Sequence, residues 1–538
     1  LPKNEYSKFY YRNEKELETL KSNINKEYIE KSWEISKKND TKLERSRFNI
    51  IRSFHPDEEN ILKSISNMKP EKLDFNPHFF EYPSFYIYIV AITLKILSIF
   101  KIIYITSDIT YYFKNPSEIG KFYLTGRFLT LTFGILTLFF LSNISEKLKK
   151  GSFNLTFILL LFSPLFIINS HYMTVDIPML FWITLFLFFL VRYFETHNLS
   201  FFYLSSISIG LATGTKYPAL ILWFLIPYVL ILSENSLIEI LKKTGISFFI
   251  LIFSFILTTP YSLISFDEFK RDFLYQFFTR GVGINFQFLL ANIKEISEDL
   301  FLIHGLPLFF YILSFIFLIF KMNKKLSVIY SGLILTFTIL IFTKGFKYGR
   351  YYLLPLPFMI LIFSIFLKEL LETGKLMKYV FLLFLVFILL INGLKTGAYL
   401  RIMSKEDVRI ISAKYVDENL KEHSDIFFIK DPWIFEVCPV NFFKYNIKII
   451  EEEQDLKNAS KNSYLIIGEL QYFLTKGSRK KIENEIIEKM KVYNFSLVKK
   501  FENESEIFNL KFDYDRTLHD LIYTHPKIFL FKKNEGNI

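Results

Sequence analysis

Between about residue 120 and about residue 397 the chain is a succession of apolar runs near the length that crosses a hydrocarbon layer, separated by short polar breaks. In lipid each backbone donor and acceptor needs a partner within the protein, so segments of this kind must be helices. The runs fall at roughly 120–143, 152–170, 177–194, 199–213, 217–233, 245–263, 301–320, 326–343, 351–367 and 378–397. A further run from Phe85 to Tyr104 is interrupted by Lys95 and Lys101, and either spans or lies along the surface. The fold class that follows is an α-helical polytopic membrane protein with about 10–11 transmembrane helices. A hydrophobic content of 51% over 538 residues and a mean hydropathy of +0.27 fit that class and exclude a water-soluble enzyme of several domains.

Basic clusters assign the sides. If the run from Phe85 to Tyr104 does not cross, then Lys147-Lys149-Lys150, Lys242-Lys243, Lys321-Lys324-Lys325 and Lys368-Lys375-Lys378 all fall on one face, which the positive-inside rule makes cytoplasmic. The same parity puts Asp57, Asp176, Lys216, the loop from about 264 to 300, Arg350 and the C-terminal region on the outer face. A crossing at 85–104 would separate Asp57 from Asp176, so a juxtamembrane helix is favoured there.

Three regions are expected: a first external loop with the juxtamembrane helix at 1–119, a transmembrane region at 120–397 and an extracytoplasmic α/β domain at 398–538. In the last, short apolar runs such as Ile426–Ile429 and Tyr464–Ile467 alternate with charged helical stretches such as 478–492. No apolar run precedes Asp57, so the expectation is a truncated chain whose first transmembrane helix is missing, with residues 3–50 an insertion in the first loop. The formal charge of +12 lies mostly beside the membrane segments and in the flanks, without the clustered basic-aromatic surface of a nucleic-acid binder. Cys438 is the only cysteine, which excludes an internal disulfide and a cysteine-rich metal site.

Chemistry-bearing residues concentrate in the polar breaks. Phe54-His55-Pro56-Asp57-Glu58-Glu59 carries adjacent acids behind a proline that fixes their approach, suited to proton abstraction and charge stabilisation. The same acids also suit a helix N-terminus, with Asp57 as the cap. Asp176, just before Ile177-Pro178, allows the same two readings. Cations recur on the face assigned to these acids: Arg127, Lys216, and Lys344, Lys347 and Arg350 around Gly345 and Gly349. Membrane-proximal cations of this kind hold phosphate, and each alternatively snorkels to lipid headgroups. His55, His78 and His171 stand in or near the acidic loops but match no compact metal motif; no cofactor is called for, and an oxygen-ligated divalent cation is the one metal the acids suit.

These segments occur in a familiar order. Phe54–Glu58, Asn76-Pro77-His78, Tyr82-Pro83-Ser84, Gly126-Arg127, Ser163-Pro164, Thr174–Pro178, Gly210–Lys216 and Arg350–Pro355 resemble the motifs of GT-C glycosyltransferases, in the branch of the protein O-mannosyltransferases and aminoarabinose transferases, over about residues 50–400. The resemblance implies a GT-C-like membrane enzyme that transfers a hexosyl or pentosyl unit from a polyprenyl-phosphate carrier to a lipid, glycan or protein acceptor on the extracytoplasmic face of the plasma or inner membrane. It implies that Asp57 is the general base with Glu58 assisting, that Asp176 positions acceptor or metal, and that Lys216, Arg350 and Arg127 contact phosphate. His55, His78, Tyr82, Lys347 and Tyr351 are the further substrate-binding candidates it marks. Two departures stand out: Glu81-Tyr82 replaces a lysine that some members carry beside the proline after the first loop, and the usual first span is missing. A lipid-linked-sugar flippase, or a catalytically inert receptor, is the alternative for a chain with ionisable residues beside its spans.

Overall fold

The computed structural model describes residues 13–29, 51–279, 286–304, 308–343, 347–372, 375–430, 432–433, 435–441, 443–473, 476–512 and 516–534. The chain divides into two compact units. One comprises Leu1–Glu59, Leu94–Thr125 and Gly397–Ile538, and the other Asn60–Thr93 and Gly126–Thr396.

The second unit is helical. Among the described residues five helices are long and apolar enough to cross a membrane: Pro116–Leu148, Asp176–Thr196, Leu237–Thr258, Lys324–Phe342 and one that runs through Lys375–Ser404. A sixth span is made if the pair Phe153–Leu161 and Pro164–Ser170, bent by 66°, is taken as one. The bend falls at Ser163-Pro164, where the proline removes a backbone donor. The remaining runs are helical but shorter: Leu199–Thr215, Leu308–Ile319, Leu356–Leu371, and Tyr217–Phe224, a 3-10 helix continued by Leu225–Ser233. Phe85–Ile99 is a helix of 15 residues, below the length of a span.

Ion pairs show that several of the short helices nonetheless run from one end of this unit to the other. Lys325 and Lys147 both reach Glu195, Lys324 donates to the Leu232 carbonyl, Lys243 pairs with Glu234, and Lys149 binds Glu369 and Glu372 at 2.8 and 2.6 Å. These contacts gather the helix ends near 147–149, 195, 232–243, 324–325 and 369–372. The opposite ends meet elsewhere, with Lys216 on Asp176 and beside Tyr351. Hence 199–215, 217–233 and 356–371 each connect the two ends, as spans do, despite falling below the usual length.

Small residues bring two of these helices together. A Cβ on Gly210 would lie 2.6 Å from the Ser254 Cβ and 2.9 Å from the Leu251 carbonyl oxygen, and one on Gly214 would lie 2.2 Å from the Thr258 Oγ1. Gly210 and Gly214, four residues apart, therefore form a small-residue seam along which Leu199–Thr215 packs on Leu237–Thr258. The seam fixes the helix whose last residue precedes Lys216.

In the first unit, residues beyond 404 form a mixed five-stranded sheet in the order Asn446–Ile450, Asp425–Ile429, Tyr464–Gly468, Ile528–Lys533, Phe495–Phe501. The first three strands are parallel and the last two pair antiparallel. The inward residues Phe427, Ile429, Leu465, Ile467, Phe529 and Phe531 pack on Ile486 and Met490 of the helix Arg479–Val492. This is the α/β arrangement expected of the C-terminal region, with strands at the two apolar runs and a helix over the charged stretch. Cys438 is buried in it.

Candidate functional site

The acids of the first unit open the helix Pro56–Asn67. Pro56 takes the first helical position, where its missing N–H costs nothing, so Asp57 and Glu58 stand inside the first turn and not at its cap. His55 holds the cap position, and the Asp57 N–H donates to His55 Nδ1 at 3.3 Å. This revises the capping alternative: the acids favour the helix N-terminus through its dipole, while the cap itself is supplied by a histidine ring. Glu58 is fully buried and its Oε2 accepts the Ser53 hydroxyl at 2.5 Å; Ser53 Oγ in turn accepts the His55 N–H at 3.0 Å. Asp57 is 5% exposed.

What holds this turn comes from the C-terminal domain. The Arg409 guanidinium lies 4.2 Å from the centre of the Phe54 ring. It is bidentate on Asp407 and donates to the carbonyls of Phe435 and Tyr523, each at 2.7 Å. The Tyr523 ring packs edge-on against His55, with centroids 5.2 Å apart, and Phe54 packs against a cluster that includes Phe435, Phe473 and Ile522. Sequence reasoning missed Arg409 and Tyr523 because nothing local ties them to residues 54–58.

In the second unit three breaks between helices converge. Lys216 is the extended residue (φ −155°, ψ 126°) between Leu199–Thr215 and the 3-10 helix Tyr217–Phe224, whose second residue is Pro218. Its ammonium lies 2.6 Å from Asp176 Oδ1 and 5.6 Å from the centre of the Tyr351 ring. Asp176 is the first residue of Asp176–Thr196, with Val175 at the cap, so here too the acid is not the cap. Arg350 lies in the 3-10 helix Gly349–Leu353, its guanidinium 4.5 Å from the Tyr348 ring centre, and Tyr348 meets Tyr351 edge to face at 5.6 Å. Arg127 sits 5.8 Å from the ring centre of Tyr172, in the loop that leads to Asp176. Next to Arg127, Gly126 admits Met173 of that loop, whose sulfur would be 2.0 Å from a Cβ. Thus Asp176, Lys216, Tyr351, Arg350 and Arg127 gather around one loop, linked through Tyr348 and Tyr172, which the sequence reading did not single out. The buried Thr174 Oγ1 beside Asp176 has no hydrogen-bond partner among the described residues.

The other candidates are held differently. Lys347 is buried and its ammonium contacts Asn292 Oδ1 at 2.6 Å and Glu295 Oε2 at 3.2 Å. His78 has a positive φ of 49°, its Nδ1 lies 2.9 Å from Glu268, and its N–H donates to Asn76 Oδ1. Asn76 also donates to Ser265, the Phe80 N–H to Asp272, and Gln276 to Glu81, which pins 76–81 along one face of the helix Phe266–Thr279. Glu268, Asp272 and Gln276 recur every four residues, a legible signal of a polar helix face. Tyr82 packs on Phe79, and His171 Nδ1 lies 2.7 Å from the Ile167 carbonyl oxygen. Lys344 and Gly345 lie outside the described residues. Among the described residues no three His, Cys, Asp or Glu side chains converge as a metal site would require.

Residues 118–291 match the family model described as dolichyl-phosphate-mannose-protein mannosyltransferase. A comparison with curated proteins returned no match. Among solved structures the chain is similar to ArnT from Cupriavidus metallidurans bound to undecaprenyl phosphate, at 10% identity and a TM-score of 0.42 over 91% of this chain and 96% of that one. In the apo state of the same protein the values are 9%, 0.43, 90% and 95%. The Archaeoglobus fulgidus oligosaccharyltransferase tethered with an acceptor peptide is matched at 11% identity and a TM-score of 0.41, over 74% of this chain and 62% of that one. The chain is a helical protein with helices of membrane length, and over residues 118–291 it resembles the dolichyl-phosphate-mannose-protein mannosyltransferases.

Proposed function

We propose that the protein transfers a sugar from a polyprenyl-phosphate carrier to an acceptor hydroxyl at the extracytoplasmic face. The observation that carries this reading is the convergence of Lys216, Arg350 and Arg127 on the loop that leads to Asp176; Arg127, Asp176 and Lys216 lie inside the region that the mannosyltransferase family model matches, and Arg350 beyond it. An ammonium has three donors and Asp176 takes one, so Lys216 is oriented and keeps donors for a phosphate. Asp57 is the base: its carboxylate accepts the acceptor's proton as the hydroxyl oxygen forms a bond to the anomeric carbon. The bond from that carbon to the phosphate oxygen breaks, and its electron pair leaves with the polyprenyl phosphate. Cations aimed at that oxygen stabilise the charge that develops there, and direct displacement inverts the anomeric centre. Glu58, sealed by Ser53, supports the turn that presents Asp57.

Full-length protein in proteoliposomes, given a panel of polyprenyl-phosphate sugars, tests the reading. Sugar release into an acceptor is expected, and Asp57→Asn is expected to abolish it while the protein still folds and binds carrier. Unchanged transfer by Asp57→Asn refutes the assigned base. Movement of carrier between leaflets without cleavage of the sugar–phosphate bond refutes the enzyme and favours a flippase.

A further inference from the structure

Beside the end of the last membrane helix, Glu506–Ile507 and Leu510–Lys511 form a two-residue hairpin. Its tip, Phe508-Asn509, has both residues in the left-handed region, φ 51° and 63°. That turn favours glycine, asparagine or aspartate, and a bulky side chain at a positive φ is strained. Phe508 is nonetheless 80% exposed, and Leu510, two residues on, is 52% exposed. The strained position therefore gains almost no burial from its side chain, a combination that calls for a reason outside the hairpin.

The hairpin is fixed where such a contact is at hand. A Cβ on Gly397 would lie 3.1 Å from Ile507 Cδ1, and Arg401, one turn on, donates to the Glu506 carbonyl at 3.2 Å. Asn503, just before the hairpin, donates to the Glu406 carbonyl. Gly397 and Arg401 belong to the helix Lys375–Ser404, whose preceding stretch is apolar, of membrane length and largely uncovered by protein. The hairpin is thus tied to the last turns of a helix whose earlier residues are apolar. We propose that Phe508 and Leu510 enter the headgroup–acyl boundary of the bilayer that the adjoining helix crosses, anchoring this edge of the C-terminal domain to the membrane. An amphipathic edge beside a span suits that boundary, where an apolar ring is buried and flanking charges such as Lys511 stay in water.

The single buried Cys438 makes site-directed labelling selective. A spin label at Phe508→Cys in the full chain, reconstituted in lipid nanodiscs, is expected to be relaxed more by oxygen than by a water-soluble nickel chelate. A label at Val492→Cys, 74% exposed in the C-terminal domain, is expected to give the reverse order. Equal nickel access at the two positions overturns the proposal, as does dipolar broadening at 508 that dilution with unlabelled protein removes, which would mean that the tip meets a second copy. Phe508→Asn, which suits the left-handed turn and keeps the hairpin, removes the ring alone. In that background nickel access to a label at Leu510→Cys is expected to rise; an unchanged value also overturns the proposal.

Discussion

Lys216 and Arg350 are both cations, yet their surroundings give them different tolerances. Lys216 pairs with Asp176, which is 1% exposed, so deleting the ammonium strands a buried carboxylate and costs about 3 kcal/mol of stability as well as any phosphate contact. Truncation therefore confounds folding with function, and Asp176→Asn is the cleaner probe because it keeps Lys216 and the hydrogen bond while releasing the charge that orients it. If Lys216 holds the carrier phosphate, Asp176→Asn is expected to lower kcat/KM for the donor by roughly 10- to 100-fold, the worth of one charge-assisted contact, with the melting temperature changed far less than in Lys216→Ala. Donor titrations on the two variants, with thermal unfolding alongside, check it; an undisturbed kcat/KM in Asp176→Asn would remove the orienting role. Arg350 depends on shape as much as on charge, because its planar guanidinium lies over Tyr348. Arg350→Lys is accordingly expected to lose most of the activity that Arg350→Ala loses, whereas Tyr348→Phe, which keeps the ring, is expected to retain wild-type turnover; equal activity of Arg350→Lys and wild type would show that charge alone suffices.

At the scale of elements, two devices aim these residues, and they differ in how far the sequence revealed them. The Gly210–Lys216 segment was legible as a motif, but not its physical reason, since the partners Leu251, Ser254 and Thr258 lie on another helix. In lipid, helices attract one another mainly through close packing, so a side chain at Gly210 or Gly214 forces apart two backbones that meet closely there. Gly214→Val is expected to cost about 1–3 kcal/mol, as overpacking does, and to reduce activity by displacing Lys216; Gly245→Val on the neighbouring helix, where a Cβ meets nothing within 4 Å, is the matched control. Thermal unfolding of both variants in detergent measures it, and a Gly214 variant as stable as the Gly245 one would dismiss the seam. The second device, the Arg409 knot under Phe54, was illegible. Its guanidinium is consumed by Asp407, two backbone carbonyls and a ring, none close in sequence to the acids it steadies. The apolar periodicity announced the helices and the strands; the breaks between them, where the chemistry sits, depend on contacts that no periodicity encodes.

Across the whole molecule, lysine–carboxylate pairs recur in both units, tying the helix ends of one and the sheet of the other, and they set a common dependence on pH. In the C-terminal domain Glu483 shows the balance: burial alone pushes its carboxyl up, but hydrogen bonds from Lys500 and Lys527 outweigh this and hold it below the ordinary glutamate value of 4.5. Asp425, between Lys448 and Ser460, is also held low against the opposing effect of burial, and Glu234 is held low first by its bond from Lys243. A carboxyl depressed in the folded state stabilises the fold fully above its unfolded pKa and loses that contribution as pH falls through the folded value. All three groups act in the same direction, and a chain already at +12 gains further repulsive charge as its acids protonate. Stability is therefore expected to be level near neutral pH and to fall as pH drops through and below 4.5. Glu483→Gln isolates one contribution: at pH 7 it is expected to destabilise the full-length protein by about 1 kcal/mol or less, since both lysines remain partly solvated and screening is strong. At a pH below the folded carboxyl value the variant and wild type should unfold together, because both then carry a neutral side chain at this position. Tryptophan-detected unfolding of the two proteins across that range decides it: a difference that persists undiminished in acid would mean that Glu483 acts through packing and not through its charge.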